Sequence, residues 1–185
     1  MFIQTEATPN PATLKFLPGK PVLPGSTREY RKAADALESP LAEKLFSVNG
    51  VSGVFLGHDF ITVTKGSGEW QHLKPAILGT IMDHYVSGTP MLMGEAPIDQ
   101  VGEEFFADEH SEIVKTIKDL LDSRVRPAVA QDGGDITFKG FKEGIVYLNM
   151  KGSCAGCPSS TATLKHGIEN LLKHFVPEVS EVRPV

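Results

Sequence analysis

The chain has 185 residues, of which 41% are hydrophobic and 22% are charged, values typical of a soluble globular protein with one large domain or two small ones. Its formal net charge of −5 argues against a nucleic-acid-binding protein that depends on bulk electrostatic attraction. No apolar run approaches the roughly 20 residues that span a bilayer, which argues against an integral membrane protein.

The N-terminal residues Met1–Glu6 contain neither a basic segment nor an apolar core, so we expect no secretion signal, and no Arg-rich and Ser-rich transit peptide follows them. The only two cysteines stand in one short motif, which indicates a reducing compartment rather than a disulfide framework. The expected location is therefore the cytoplasm of a bacterium, or the mitochondrial matrix if the chain is a processed mature form.

Residues 1–88 predict a small α+β domain. Short apolar-alternating segments predict its strands, and turns such as Thr8-Pro9-Asn10-Pro11 separate them. The predicted strands are Met1–Thr5, Ala12–Phe16, Val51–Leu56 and Phe60–Thr64, with Thr27–Ala33 as a further strand or an irregular edge.

Two helices are predicted in this domain. Ser39 and Pro40 fit an N-cap and a first helical position, and this helix ends at about Phe46. A second helix begins near Glu69, and Pro75 predicts a break after its first turn. Its apolar residues recur at spacings of three and four, which places them on one face: Trp70, Leu73, Ile77, Ile81 and Tyr85.

Residues 89–108 are predicted to be a linker. This segment has no lysine or arginine, and its acidic residues account for the whole net charge of the chain. Self-repulsion together with proline and glycine favours an extended tether. The alternative is a packed loop in which 91–93 and 105–106 dock on a domain. The acidic residues are Glu95, Asp99, Glu103, Glu104 and Asp108.

Residues 109–185 predict a second α+β domain with both helices on one face of its sheet. Asp108 or Ser111 caps a first helix, which Pro127 ends or kinks, and Arg124 and Arg126 lie near its end as the helix dipole favours. A hairpin follows, from a turn at 132–135 to a second turn at 142–144. A helix after residue 158 and a last strand near 179–182 complete the domain.

The motif that carries chemistry lies between the hairpin and the last helix, where Cys154 and Cys157 stand two residues apart. Gly152 and Gly156 allow the backbone to fold close to the sulfurs. Pro158 suits the first position of a helix. A helix N-terminus carries partial positive charge and unpaired N–H groups, which favour thiolate over thiol. The spacing therefore predicts two acidic, nucleophilic or metal-binding sulfurs.

Three interpretations of this motif stay open on the residues alone. The cysteines are ordinary loop residues, a redox dithiol, or half of a metal site. Iron–sulfur clusters are usually held by four cysteine thiolates, and structural zinc also takes four ligands. Because one chain supplies two cysteines, a four-thiolate site requires two chains.

Other candidate groups have simpler explanations. The six histidines are not paired at metal-binding spacing, so we interpret all of them as ordinary residues, with His166 and His174 on the surface. Asp132 and Asp135 could form a carboxylate pair for acid–base chemistry, but a Gly-Gly turn explains them better.

Several motifs resemble one family. Gln131-Asp132-Gly133-Gly134-Asp135-Ile136, a hairpin and Cys154-Ala155-Gly156-Cys157-Pro158-Ser159-Ser160 are similar to the C-terminal domain of NifU, the Nfu-type iron–sulfur scaffold, and so are 163–165 and 167–169 behind them. The N-terminal half, from the opening 4–16 through Trp70, resembles the companion domain of Nfu proteins.

The resemblance implies a non-enzymatic carrier that binds a [4Fe-4S] cluster between two subunits and passes it to apo-proteins. Cys154 and Cys157 of each subunit would bind the cluster. It further implies a homodimer when the cluster is bound and upstream cluster-assembly proteins as partners. The net charge and the lack of a long apolar run predict that neither nucleic acid nor a membrane is a partner. The alternatives are a zinc-bridged module and a thiol–disulfide oxidoreductase that uses the same dithiol. A thioredoxin-like oxidoreductase is expected to have a βαβ unit around its dithiol, whereas this sequence indicates a hairpin followed by a helix.

Overall fold

The computed structural model describes residues 1–94, 104–153 and 158–185, apart from the side chains of 158–161. The chain forms two compact units, Met1–Asp99 and Gln100–Val185. The division falls inside the predicted linker. Each unit combines helices with a sheet, which confirms the α+β prediction for both. Within the described ranges, no helix has both the length and the apolar composition needed to cross a membrane.

The N-terminal unit contains an antiparallel sheet with the strand order β1-β2-β5-β4-β3. A short 3-10 helix, Ala33–Glu38, and the helices α1, Pro40–Phe46, and α2, Trp70–Ser87, accompany it. The strands are β1, Gln4–Ala7; β2, Thr13–Leu17; β3, Arg28–Tyr30; β4, Val51–Leu56; and β5, Ile61–Lys65.

Local signals explain where the helices of this unit begin. The Ser39 side chain accepts a hydrogen bond from the Ala42 N–H at 3.3 Å, and Pro40 is the first residue of α1, which confirms the predicted cap. The break predicted at Pro75 is wrong, because α2 runs without interruption through it. Pro75 removes one backbone bond in the second turn, while the buried Leu73 and Ile77 on either side hold the helix against the core.

The described start of the predicted linker packs against the N-terminal unit. Met91 and Leu92 are half-buried against its core. The Met93 N–H donates to the Glu38 carbonyl at 2.6 Å. This end therefore matches the packed alternative rather than the extended one.

The C-terminal unit has the strand order β6-β7-β8, with β6 and β7 antiparallel and β7 and β8 parallel. One hydrophobic core joins its helices to one face of the sheet. The elements are α3, Ser111–Leu120; a π-helical turn, Leu121–Val125; α4, Arg126–Gln131; β6, Gly134–Lys142; β7, Ile145–Gly152; α5, Pro158–Phe175; and β8, Glu181–Pro184.

Pro127 explains the irregular path of the first helix of this unit. The helix does not end at Pro127 but passes through the π-helical turn and continues as α4, in which Pro127 is the second residue. A proline lacks the N–H that an α-helix needs and its ring crowds the preceding turn. The wider turn immediately before it accommodates both effects, so the predicted kink is confirmed.

The connection around the cysteine motif differs from the sequence expectation. Strand β7, helix α5 and strand β8 form a βαβ unit, because the two strands are parallel neighbours. The expectation that no βαβ unit surrounds the motif is therefore wrong. The last strand could have been placed on either side of the hairpin, and sequence alone gave no sign of its direction.

The described end of the predicted linker also docks, in this case on the C-terminal unit. The Phe105 N–H donates to the Lys139 carbonyl at 3.2 Å, and the Phe105 carbonyl accepts from the Phe141 N–H at 2.8 Å. Glu104 forms an ion pair with Lys118 at 2.7 Å. Residues 95–103 lie outside the described part of the chain, and the extended tether there stays a prediction.

Candidate functional site

The cysteine motif joins the end of β7 to the start of α5. Cys154 and Cys157 lie outside the described residues, so their predicted role as ligands stays a prediction. Both flanks of the motif are described. Gly152 ends β7 opposite Gly134 of β6 and has a φ of 69°, a conformation that favours glycine. On the other side α5 begins at Pro158, immediately after Cys157, at the helical position predicted for this proline.

Ser153 fixes the strand end of the motif. Its side chain is 1% exposed. Its N–H donates to the Gly133 carbonyl at 3.3 Å, and its hydroxyl donates to the Asp132 carbonyl. Both acceptors belong to the turn that precedes β6, and Gly133 has a φ of 80° there. The turn at 132–133 therefore holds the residue directly before Cys154.

A buried ion pair in turn holds this end of β6. The Asp135 carboxylate is buried, and it accepts hydrogen bonds from Arg126 Nε at 2.9 Å and Arg126 Nη2 at 3.0 Å. The Ile136 N–H also donates to it at 2.9 Å. Hydrogen bonding to Asp135 raises the pKa of Arg126. A bidentate pair of this kind is strong and directional, so it fixes α4 against the first residues of β6.

Helix α5 is hydrogen-bonded to the last strand, β8, through Glu169. Glu169 accepts a hydrogen bond from Lys173 at 2.8 Å and from the Val182 N–H of β8 at 3.3 Å. Both hydrogen bonds lower the pKa of the Glu169 carboxyl, and the bond from Lys173 has the larger effect. The motif is thus held between a strand end fixed by side-chain hydrogen bonds and a helix packed on the same sheet.

Comparison with known proteins places the chain in a family. Residues 3–88 match the model for the N-terminal domain of the scaffold protein Nfu/NifU, and residues 117–183 match the model for the NifU-like domain. The human protein named NFU1 iron-sulfur cluster scaffold homolog, mitochondrial, is 52% identical over 187 residues, which cover 100% of this chain and 72% of the human protein. This chain belongs to the Nfu family.

Other relatives of this Nfu chain extend the comparison. A protein of the same name from Drosophila sechellia is 50% identical over 100% of this chain, and NifU-like protein 4, mitochondrial, from Arabidopsis thaliana is 48% identical over 98%. The chain spans 65% of each of these two relatives. The solution structure of a NifU-like protein from Saccharomyces cerevisiae is 28% identical, with a TM-score of 0.46 over 51% of this chain and 87% of that chain.

The sequence of this Nfu protein indicated the two cysteines as candidates. It did not indicate the residues that hold the strand end before them. Asp132 and Asp135 do lie at the predicted turn, yet Asp135 is a buried partner of Arg126. Arg126 had been expected only to complement a helix dipole. The hydrogen bonds of Ser153 and Arg126 span 21 and 9 residues of sequence, so no local spacing indicated them. The one available signal was a Gly-Gly turn with carboxylates on both sides.

One histidine differs from the expectation that all six are ordinary residues. His84 of α2 is 1% exposed, and neither of its ring nitrogens has a hydrogen-bond partner among the described residues. Burial lowers its pKa, with Lys44 acting in the same direction and Asp83 opposing. His166 and His174 are exposed, as predicted. Within the described ranges, no group of three or more His, Cys, Asp or Glu residues is arranged to hold a metal ion.

Proposed function

We propose that this Nfu chain is an iron–sulfur cluster scaffold and carrier, in which Cys154 and Cys157 from each of two subunits bind one [4Fe-4S] cluster as cargo. The observation that carries the proposal is the pair of cysteines, the only two in the chain, set between a fixed strand end and a helix start in a protein of this family. The relatives named as scaffolds support the general role.

The number of sulfurs sets the stoichiometry. A cubane cluster is usually held by four cysteine thiolates, and one chain supplies two. Two chains therefore share one cluster, each through a short loop. Because few protein bonds from each chain hold the cluster, an incoming client thiolate displaces them one at a time. Such a site is suited to release of the cluster rather than to permanent electron transfer.

The flanks of the loop prepare its cysteines for this task. The hydrogen bonds of Ser153 fix the backbone before Cys154. The N-terminus of α5 after Cys157 stabilises thiolate over thiol, which is the form that binds iron. The strand end of the motif is thus fixed by the surrounding sheet.

The proposed partners follow from the carrier role. The chain receives the cluster from upstream assembly proteins and delivers it to apo-proteins, and it does so without catalysing a reaction of its own. We assign recognition of donors or clients to the N-terminal unit. The relatives' names carry the label mitochondrial, which is compatible with the matrix as location; the bacterial cytoplasm stays a prediction from sequence.

Anaerobic reconstitution with iron and sulfide tests the proposal. We expect a broad absorbance near about 400 nm and a dimer that holds about four irons and four sulfides. Mössbauer spectroscopy distinguishes a cubane from two-iron clusters. Cys154→Ser and Cys157→Ser should each abolish loading, whereas Ser180→Ala, far from the motif in sequence, should not. A colourless monomer, or a coloured double Cys→Ser variant, would end the proposal.

A thiol–disulfide oxidoreductase is the second candidate, because the βαβ unit around the motif is the setting in which such dithiols occur. The mechanism would use a thiolate at the start of α5 to attack a substrate disulfide. Reduction of insulin by the chain in the presence of a thioredoxin reductase system would favour it. We expect no turnover above that of a Cys157→Ser control.

A further inference from the structure

The sheet of the C-terminal unit has a second face that its helices do not cover. Alternate residues of β6, β7 and β8 point into the core, among them Ile136, Leu148 and Val182. Their neighbours along the strands therefore project from the opposite side, since side chains alternate in a strand. We call this side the open sheet face; by register it carries the neutral residues Thr137, Tyr147 and Asn149 and the charged residues Asp135, Lys151, Glu181 and Arg183. Lys139 lies beside Tyr147 at an irregularity of β6 between Phe138 and Gly140.

The open sheet face carries an excess of positive charge. Neither Lys139 nor Lys151 has a carboxylate within ion-pair distance among the described residues. Asp135 lies directly across from Lys151 in the strand register, but Arg126 binds that carboxylate. Arg183 pairs with Glu181 at 3.1 Å. This local excess contrasts with the net charge of −5 on the whole chain.

An aromatic pair lies beside the two lysines. The rings of Phe105 and Tyr147 are 5.1 Å apart, and Phe105 is 41% exposed. Phe105 covers Gly140, where a side chain would collide with its ring. Aromatic residues are enriched at protein–protein interfaces, and the lysines beside these rings add positive charge that attracts an acidic partner.

The open sheet face is continuous with the proposed cluster site. Strand β7 runs from Tyr147 through Lys151 to Gly152, and Ser153 is fixed at its end. Lys151 and Cys154 are three positions apart in the chain, a reach of at most about 11 Å. A partner bound on this face is therefore brought close to the cysteine motif.

We infer that the open sheet face docks an acidic segment of the apo-protein that receives the cluster, as a contact additional to the recognition of donors or clients that we assign to the N-terminal unit. Carboxylates of the segment pair with Lys139 and Lys151, and an apolar side chain packs on Phe105 and Tyr147. Docking brings the client's cysteines to the motif, so that thiolate exchange becomes effectively intramolecular. This inference depends on the proposed carrier function. The acidic net charge of the chain disfavours nucleic acid as the occupant.

Cluster transfer from the loaded full-length chain to an acidic four-cysteine apo-ferredoxin tests the inference. Lys139→Glu reverses a charge on the open sheet face. Lys115→Glu makes the same change on the exposed side of α3 and is the matched control. We expect transfer by Lys139→Glu to be about tenfold slower at low salt, because opposite charges steer association. We expect Lys115→Glu to differ from wild type by less than about twofold.

Two further measurements separate docking from other effects. Cluster release to a small chelator should be equal in all three proteins, since a chelator needs no docking surface. In NMR titrations of the 15N-labelled apo chain, the ferredoxin should shift the amide signals of Lys139, Tyr147 and Lys151. The difference between the variants should disappear at about 0.5 M salt, where surface charges are screened.

The possible failures are distinguishable. If wild type loads and transfers but Lys139→Glu does so equally fast, the docking face is wrong and the carrier function stands. Equal slowing of both variants would assign the effect to net charge and also overturn the inference. If anionic vesicles or RNA shift these amides and the ferredoxin does not, the class of partner is wrong. If wild type takes up no cluster, the proposed function fails and this inference fails with it.

Discussion

The two units differ in where their buried polar groups lie. In the N-terminal unit these groups are spread over the structure: Thr13 and Thr64 share a hydrogen bond of 2.9 Å between two strands, Ser39 caps α1, and His84 lies unpaired in α2. In the described part of the C-terminal unit the buried polar residues are Asp135 and Ser153, both beside the cysteine motif.

The difference shows what each set of polar groups does. In the N-terminal unit Thr13 joins two strands and Ser39 caps a helix, so these groups stabilise the domain at separate places. Those of the C-terminal unit position one loop. A buried polar group costs free energy unless it is hydrogen-bonded, and here that requirement fixes the backbone next to Cys154.

The largest expected effect comes from breaking the ion pair of the C-terminal unit. Arg126→Ala leaves the buried Asp135 carboxylate without its bidentate partner, which should destabilise this unit by about 3 kcal/mol. Trp70 is the single tryptophan of the chain and belongs to the N-terminal unit. In urea, the far-UV circular dichroism transition should therefore move while the Trp70 fluorescence transition stays.

Arg124→Ala is the control for that experiment. Arg124 lies over the exposed Phe175 ring at 5.1 Å, so its loss should change stability by well under about 1 kcal/mol. If Arg126→Ala shifted the fluorescence transition as much as the circular dichroism transition, the units would not unfold independently and the comparison between them would fail.

The corresponding experiment on the N-terminal unit creates a cavity in its core. Ile81→Ala removes a fully buried side chain of α2 and should cost about 3 kcal/mol. The Trp70 transition should move to lower urea concentration, while cluster loading stays at the wild-type stoichiometry. Loss of loading in this variant would show that the N-terminal unit is needed to build the site.

A smaller effect is expected from Ser153→Ala. The variant leaves the Asp132 carbonyl without the hydrogen bond from the Ser153 hydroxyl, which should cost about 1 kcal/mol and loosen the strand end of the motif. The half-life of the loaded cluster under chelator challenge should shorten. Ser180→Ala removes a similar bond, from its hydroxyl to the Gly144 carbonyl at 3.0 Å, and should leave the half-life unchanged. Equal behaviour of the two variants would contradict a special role for Ser153.

Near neutral pH the smallest effect is that of pH on the N-terminal unit. Burial lowers the pKa of His84 in the folded state, so below the usual pKa of about 6.5 the unfolded chain binds the proton and the folded chain resists it. Stability of this unit should fall with decreasing pH from about 6.5, by at most about 1.4 kcal/mol per unit. His84→Leu should remove this component of the Trp70 transition; the same pH slope in both proteins would exclude His84 as its source.

Local patterns predicted most elements but not the contacts between them. The bounds Pro40–Phe46 and Val51–Leu56 followed from a cap and from strand alternation, which depend on neighbours in sequence. The break predicted at Pro75 does not occur, because packing of Leu73 and Ile77 outweighs one lost backbone hydrogen bond. The direction of β8 is a property of the tertiary fold, and no residue near it indicates a parallel partner.

The candidate site shows the same division. The helix start at Pro158 follows from adjacent residues, so the sequence predicted it. The chemistry expected of Cys154 and Cys157 rests on the same neighbours and stays a prediction. The roles of Arg126 and Ser153 depend on partners brought together by the fold. Arg126 becomes a structural partner because Asp135 is buried, and a sequence does not show whether a carboxylate next to glycines is buried.

The parallel pairing of β7 with β8 has a consequence for the synthesis of the protein. The cysteines are translated before α5 and β8, yet the sheet that supports them includes Glu181–Pro184. The motif therefore has its complete supporting sheet only after Glu181–Pro184 has left the ribosomal exit tunnel. Metal capture before that point would meet an unfinished sheet.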